Sequence, residues 1–269
     1  MKTVHAIIVC TGLTLASCTG TRNSTGWTTT AQSSPQRLEK DLHQRALRFW
    51  TAKAAEDWNT VFDYQYEPDM RARLVKEEFA DWSSKNDPLK VQNFSLGRLS
   101  IDGDLGWVEV EYRSTVRRYP DFEPREARLW QKWRHSKDGW FPIPQEDLDS
   151  YPESPVLRDA VLEQGLRERF DQTFQARLVR DWKRLYDMTD PRDRETVTFD
   201  MYVEAEELFE YLSCQVEWVE VIKEFGRVRV NYRHKVTDKS LEKLGAKDGI
   251  LTERWVLIDN QWYRDLKRR

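Results

Sequence analysis

A spaced set of aromatic residues occurs twice along the chain, and this repetition limits the possible fold more than any other feature. In each copy an Asp-Trp pair precedes a Tyr-Arg pair, then a tryptophan, and seven residues later a Trp-aromatic pair. The landmarks are Asp57-Trp58, Tyr112-Arg113, Trp133 and Trp140-Phe141 in the first copy, and Asp181-Trp182, Tyr232-Arg233, Trp255 and Trp262-Tyr263 in the second. Four matching landmarks built from rare residues indicate a duplication, so the chain contains two copies of one structural unit.

Each copy begins with helical periodicity and ends with strand periodicity. Residues 36–56 carry apolar side chains at helical spacing among charges, whereas residues 107–116 alternate, and a Lys-Asp-Gly turn at 137–139 indicates a hairpin. The second copy repeats this order, with helices predicted over 156–188 and 202–212 and strands over 214–224, 227–237, 250–258 and 261–266. The sequence therefore predicts an α+β fold in which helices pack on an antiparallel sheet twice in tandem.

Domain boundaries follow from this repetition and from a proline-rich acidic stretch between the copies. Pro144, Pro152 and Pro155 punctuate that stretch, which also carries several acidic residues. Prolines stiffen a connection because each ring fixes one backbone dihedral. We expect a first unit over 37–143, a linker over 144–155 and a second unit over 156–269.

The N-terminus differs in composition from the rest of the chain. Lys2 is followed by a short apolar stretch without acidic residues, which is typical of a secretory signal and too short to span a membrane as a helix. It ends in Leu15-Ala16-Ser17-Cys18, which resembles the lipobox of bacterial lipoproteins. The resemblance implies a signal peptide over 1–17, cleavage before Cys18 and lipidation of that cysteine. Residues 18–36, rich in Thr, Ser and Gly, are then expected to form a flexible tether.

The lipobox resemblance also bears on location and partners. Thr19 is compatible with sorting to the outer membrane of a Gram-negative cell, so we expect a protein lipid-anchored in the cell envelope and facing the periplasm. The expected partners are the membrane, through lipid on Cys18, and an envelope protein. Charges are balanced, with 43 Lys and Arg against 46 Asp and Glu, so no nucleic-acid partner is predicted. The oligomeric state stays open.

The landmarks of each copy resemble the nuclear transport factor 2-like (NTF2-like, cystatin-like) superfamily. The shared features are a helical opening with Asp-Trp, a long strand ending in Tyr-Arg, and a closing hairpin with Trp-x6-Trp-aromatic. The resemblance implies two cone-shaped units, each with a curved sheet and a pocket between its helices and concave sheet face. The superfamily contains both enzymes and non-enzymatic scaffolds, so it does not by itself settle the function.

Seven residues are candidates to line such pockets. They are Trp58, Tyr112, Trp133, Trp182, Tyr232, His234 and Trp255. Recurring aromatics more often form the core between helix and sheet, and we favour that interpretation. Tyr232 and His234 share a strand face and could perform acid–base chemistry, but the first copy has Ser114 in place of the histidine. We therefore predict no catalytic residues, no metal site and no cofactor.

The leading functional hypothesis is a non-enzymatic binding or assembly module. Charges on the outer strand faces are candidates for docking a partner: Glu109, Glu111 and Arg113 in the first copy, Arg229, Arg233 and Lys235 in the second. The alternatives are a protein that binds a small hydrophobic ligand and, less favoured, an isomerase-, cyclase- or dehydratase-like enzyme that uses Tyr232 and His234. Cys214 lies in an apolar strand pattern and is expected to be an inert thiol.

Overall fold

The computed structural model describes residues 34–267. Residues 35–267 form one compact unit. The predicted signal peptide, its lipidation site Cys18 and the tether up to residue 33 lie outside the described residues. Within 34–267, no helix combines the length and the apolar character needed to cross a bilayer.

The first half of the compact unit contains four helices followed by a four-stranded sheet. The sheet is antiparallel and its strands are ordered as in the sequence. The elements are α1 (Pro35–Ala54), α2 (Trp58–Gln65), α3 (Pro68–Arg71), α4 (Lys76–Asn86), β1 (Leu89–Asp102), β2 (Leu105–Val116), β3 (Arg125–Ser136) and β4 (Gly139–Pro142).

The second half repeats this order, which confirms the predicted α+β architecture. Its sheet is again antiparallel and sequential. The elements are α5 (Ala160–Leu178), α6 (Trp182–Asp187), α7 (Pro191–Arg194), α8 (Phe199–Glu206), β5 (Phe209–Ile222), β6 (Phe225–Val236), β7 (Lys247–Ile258) and β8 (Gln261–Asp265).

The prediction of a single helix over 156–188 was wrong, and the helix predicted over 202–212 ends earlier, at Glu206, before β5 begins at Phe209. Arg180 adopts a positive φ of 57°, which ends α5, and the Asp181 carboxylate then accepts the Arg184 N–H at 3.1 Å to begin α6. Asp57 begins α2 in the same way by accepting the Thr60 N–H at 3.1 Å. Both Asp-Trp landmarks are therefore helix starts, and the second one breaks the predicted long helix.

Each core forms where the first long helix of a half lies on its sheet. In the first half Leu42 packs over Gly106 of β2 and against Trp140. In the second half Leu166, Gly226 and Trp262 make the same arrangement. A Cβ atom on Gly106 would lie 2.5 Å from Leu42 Cδ2, so the close approach of helix to strand requires glycine. The two copies thus share a packing device as well as an element order.

The segment between the halves contacts both sheets. On the first sheet, the indole N–H of Trp107 donates to the Pro152 carbonyl at 3.1 Å, and the Lys132 ammonium donates to the carbonyls of Leu148 at 3.1 Å and Tyr151 at 2.9 Å. On the second sheet, the Trp218 indole N–H donates to the Ser150 carbonyl at 3.2 Å. These bonds come from the sheet faces turned away from the helices, and they tie the two halves together.

Candidate functional site

Six of the seven predicted pocket residues are spread over three separate hydrophobic clusters. Trp133, with no exposed surface, packs edge-on against Phe49 in the first core, where Trp58 is also buried. Tyr232 and Trp255, each 1% exposed, lie in the second core. The remaining three, Tyr112, Trp182 and His234, are partly exposed. The structure therefore places most of this set where helices meet sheet rather than around one shared cavity.

The hydroxyl group of Tyr232 is fully engaged by buried side chains. It accepts a hydrogen bond from Arg177 Nη1 at 2.9 Å and donates one to Glu253 Oε1 at 2.8 Å. Burial, reinforced by the nearby Glu253 carboxylate, raises the pKa of Tyr232 well above its usual value. The neighbouring His234 ring packs edge-on against Phe209 at a centroid distance of 5.2 Å. The two residues share a strand face and both contact the Tyr211 ring, but only the Tyr232 hydroxyl is bonded to the buried charged side chains.

Tyr232 belongs to a buried ionic network that our sequence analysis missed. Arg177, 2% exposed, pairs with Glu206 at 3.1 Å and Glu253 at 3.3 Å. Arg264 pairs with the same two carboxylates at 2.6 and 3.8 Å. The four charged residues come from α5, α8, β7 and β8, so the network holds two positive and two negative charges from four elements. One sequence signal could have indicated the network. Glu253 lies two residues before Trp255, so it shares the strand face that meets the helices, where a charged residue is unusual.

The charges within this network balance one another. Burial raises the pKa of Glu206, but Arg264 and Arg177 outweigh burial and lower it to about 2. Burial and Arg264 lower the pKa of Arg177, yet Glu253 and Glu206 outweigh them and the net pKa is raised. The first half has a neutral contact at the corresponding place, where the Trp50 indole N–H donates to Gln131 Oε1 at 2.7 Å. The network therefore links four elements of the second half, whereas Gln131, which corresponds to Glu253 in the first half, is neutral.

An open cleft lies in the first half, between the chain around α3 and the chain that follows β4. Its volume is about 290 Å³. Apolar and aromatic side chains form most of its wall, with charged side chains at the rim. The wall includes Tyr66, Met70, Phe141, Pro142, Ile143, Pro144 and Tyr151, and the rim includes Glu67, Asp69, Arg73, Arg134 and Asp147. None of the seven predicted pocket residues lines this cleft.

The corresponding place in the second half is closed by main-chain hydrogen bonds. The Arg264 N–H donates to the Met188 carbonyl at 2.9 Å, and the Asp190 N–H donates to the Arg264 carbonyl at 2.9 Å. The Leu266 N–H donates to Asp193 Oδ2 at 2.8 Å. The last strand of the chain thereby joins the segment that precedes α7, and no comparable opening separates them there.

Two prolines prevent the same closure in the first half. Counted from the paired Trp140 and Trp262, Pro142 occupies the position of Arg264, and Pro144 that of Leu266. Proline has no backbone N–H, so neither residue can donate the bond that its counterpart donates. The first half therefore lacks the two N–H donors that close the second half, and at the second position it also lacks the acceptor, since Met70 occupies the place of Asp193.

Two of the charged residues at the rim of the cleft pair with each other. Arg134 Nη2 donates to Glu67 Oε1 at 2.8 Å, and this bond raises the pKa of Arg134 despite partial burial. Burial, with a contribution from Glu146, raises the pKa of Tyr66, so its hydroxyl stays protonated at neutral pH. The cleft can therefore offer aromatic surface, the neutral Tyr66 hydroxyl and the charged side chains of Asp69, Arg73 and Asp147 to a ligand.

The outer strand faces are less open than the sequence analysis assumed. Glu109, 6% exposed, is enclosed by Arg98 at 3.0 Å and Arg128 at 3.7 Å. Arg229 is half-buried and pairs with Glu217 at 3.0 Å. These two predicted docking residues are therefore held by neighbours within the sheet, whereas Arg113 is exposed, as are Glu111, Arg233 and Lys235.

The described residues hold no group of three or more His, Cys, Asp and Glu side chains suited to a metal ion. Cys214 is half-buried, and burial raises the pKa of its thiol to about 11. At neutral pH this side chain is a thiol rather than a thiolate.

Comparison with known proteins gives distant structural similarities. No protein-family model matches the sequence, and no curated protein matches it significantly. A SEC-C motif containing protein from Rhodopseudomonas palustris is 16% identical over 35% of this chain and 69% of its own, with a TM-score of 0.26. An NTF2-like protein involved in plasmid conjugation is 12% identical over 83% of this chain and 94% of its own, with a TM-score of 0.27. Similarities this low carry no inference about function, and the assignment of tandem NTF2-like units stays a prediction.

Proposed function

We propose that this chain is an envelope lipoprotein, tethered through lipid on Cys18, that acts as a non-enzymatic binding module for an envelope protein. In this proposal the NTF2-like units over 37–143 and 156–269 divide the work. The second unit, with its buried ionic network, is the rigid support, and the first unit presents the binding cleft. The observation that carries the proposal is the cleft itself, kept open by Pro142 and Pro144 where the second copy closes.

The proposal assigns no catalysis to either unit. The best acid–base pair predicted from the sequence was Tyr232 with His234. The Tyr232 hydroxyl is already bonded to Arg177 and Glu253, and its raised pKa makes it a poor base or nucleophile near neutral pH. An enzymatic role would require that network to open for a substrate.

Site-specific photo-crosslinking in the cells that make the protein tests the binding role. A photoreactive amino acid at Met70, which lines the cleft and is 49% exposed, should capture one defined envelope protein. The matched control places it at Val179, which is 75% exposed at the end of α5. Replacing Pro142→Arg and Pro144→Leu should abolish the capture by closing the cleft. Equal capture from both positions, or capture unaffected by closure, contradicts the proposal.

The tether is tested separately from the cleft. Wild-type protein should incorporate labelled palmitate and fractionate with membranes, whereas Cys18→Ser should lose both properties. Cys214→Ser is the control, because it removes a cysteine without touching the predicted lipidation site. A Cys18→Ser protein that keeps its lipid label contradicts the anchor while leaving the cleft untouched.

A small hydrophobic ligand is the second candidate occupant of the cleft. The volume of about 290 Å³ lies at the lower end of the range for ligand pockets, and aromatic side chains line much of the wall. Native mass spectrometry of the protein purified from its own cells distinguishes the candidates. A constant added mass that the cleft-closing double variant loses would favour the small ligand over a protein partner.

A further inference from the structure

We propose that the cleft receives an extended segment of the partner protein, which pairs through its main chain with residues 65–67. The inference rests on the proposed binding function and adds the chemistry of the partner. In the part of the chain that the structure describes, neither the Gln65 carbonyl nor the Glu67 N–H has a hydrogen-bond partner. Both belong to residues that line the cleft.

The backbone at this place already has the conformation of a strand. Tyr66 has φ −114° and ψ 140°, and Glu67 has φ −62° and ψ 154°. Such a segment offers its carbonyl and N–H groups to an adjacent extended chain, as an exposed sheet edge does. A helical partner would not satisfy these groups, because the N–H groups of a helix interior are bonded internally.

The second half supplies a template for the pairing. Counted from Pro68 and Pro191, which begin α3 and α7, Gln65 corresponds to Met188 and Glu67 to Asp190. In the second half, Arg264 donates its N–H to Met188 and accepts from Asp190, so one extended residue satisfies both groups. A partner residue that approached residues 65–67 in the same way would donate to Gln65 and accept from Glu67.

The pairing made by Arg264 in the second half and the apolar lining of the cleft together define the partner segment. The residue that pairs must have a free N–H, so it is not proline. A neighbouring side chain would enter the space lined by Tyr66, Met70 and Phe141, so it should be apolar or aromatic. The inferred ligand is therefore an extended peptide with an apolar anchor beside a non-proline pairing residue.

A displayed library of seven-residue peptides provides the probe. Peptides enriched on the full lipidated chain in detergent should bind the wild type and Pro155→Ala equally. Pro155 is an exposed proline outside the cleft, so this variant is the matched control. Binding to the Pro142→Arg, Pro144→Leu double variant should weaken by about tenfold or more, because the N–H restored at residue 142 can donate to the Gln65 carbonyl as Arg264 donates to Met188. The absence of any enriched peptide overturns the inference.

Two further measurements test the main-chain pairing without changing the protein. Saturating peptide should slow hydrogen exchange of the Glu67 amide by about tenfold or more. An N-methyl scan of the peptide should find one position at which methylation abolishes binding. Tolerance of methylation at every position, or unchanged exchange at Glu67, overturns the pairing. Crosslinking from Met70 would still report a partner in that case, so the proposed function would stand; loss of both results removes both proposals.

Discussion

The main-chain N–H of Arg264 donates a 2.9 Å hydrogen bond to the Met188 carbonyl. Pro142, which occupies the equivalent position in the first half, has no N–H to donate. The same architecture is consequently closed at one end of the second half and open at the matching end of the first. This difference between the two halves is the observation on which the proposed binding role of the first half depends.

The ionic network predicts that charge balance matters more than the number of ion pairs. Arg177→Met should cost about 3–5 kcal/mol of unfolding free energy, because it leaves two buried carboxylates facing one cation. Adding Glu253→Gln restores the balance between Arg264 and Glu206, so the double variant should be more stable than Arg177→Met alone. Urea unfolding at neutral pH measures both. Arg167→Met, at an exposed pair, is the control and should cost less than about 1 kcal/mol.

Glu206 predicts a defined loss of stability in acid. Its pKa of about 2 in the folded protein lies below the usual 4.5, so its stabilising effect is complete above 4.5 and is lost as the pH falls toward 2. The difference in unfolding free energy between the wild type and Glu206→Gln should shrink by about 3 kcal/mol over that range. Comparing the two proteins cancels the titration of other carboxylates. A difference that stays constant with pH would contradict the assignment.

The two strand glycines predict matching effects in the two halves. Gly106→Ala and Gly226→Ala should each destabilise the protein by about 1–3 kcal/mol, because the new methyl group meets a leucine and a tryptophan. Gly165→Ala, in α5, makes only an ordinary contact and should stabilise by about 0.5–1 kcal/mol through helix propensity. Thermal unfolding distinguishes the signs. A neutral result at Gly106 would mean that the first helix can move away from its sheet.

The contacts of Lys132 predict that this side chain keeps the segment between the halves closed against the first sheet. Lys132→Met removes the ammonium group that contacts the Leu148 and Tyr151 carbonyls and the Glu153 carboxylate. The segment should then open more often, and a glutamate-specific protease should cleave after Glu146 faster than in the wild type. Lys137→Met, in an exposed turn, is the control. Unchanged cleavage of Lys132→Met would show that the other contacts suffice.

The raised pKa of Cys214 predicts that its thiol is alkylated slowly in the folded protein. With a pKa of about 11, it should react with iodoacetamide far more slowly than the unfolded chain at neutral pH, and its rate should keep rising with pH up to about 11. Peptide mass spectrometry locates the modification, and the same protein in urea gives the reference rate. Reaction as fast as in urea would mean that the strand around Cys214 opens readily.

Much of the architecture could be predicted because its signals are local. Alternation over 107–116 and the turn at 137–139 specify strands and a hairpin from neighbouring residues alone. The prediction of one helix over 156–188 was wrong although the sequence carries the signal for the break. Asp181 repeats the helix start that Asp57 makes in the first copy. The repeat that identifies the two copies therefore also predicts a helix boundary at Asp181.

The sequence by itself determined that two α+β units follow one another, because periodicity and paired landmarks encode which segments become helices and strands. Tertiary structure alone decided where the chemistry lies. Arg177 and Glu253 meet only because the end of a helix packs against a distant strand. The spacing of charged residues along the sequence does not show which of them pair. Pro142 is visible in the sequence. Its missing N–H leaves the cleft open only because the fold brings the Gln65 carbonyl, the counterpart of the Met188 carbonyl, to the same cleft. Contacts between distant segments, rather than the residues themselves, build the ionic network in one half and leave the cleft open in the other.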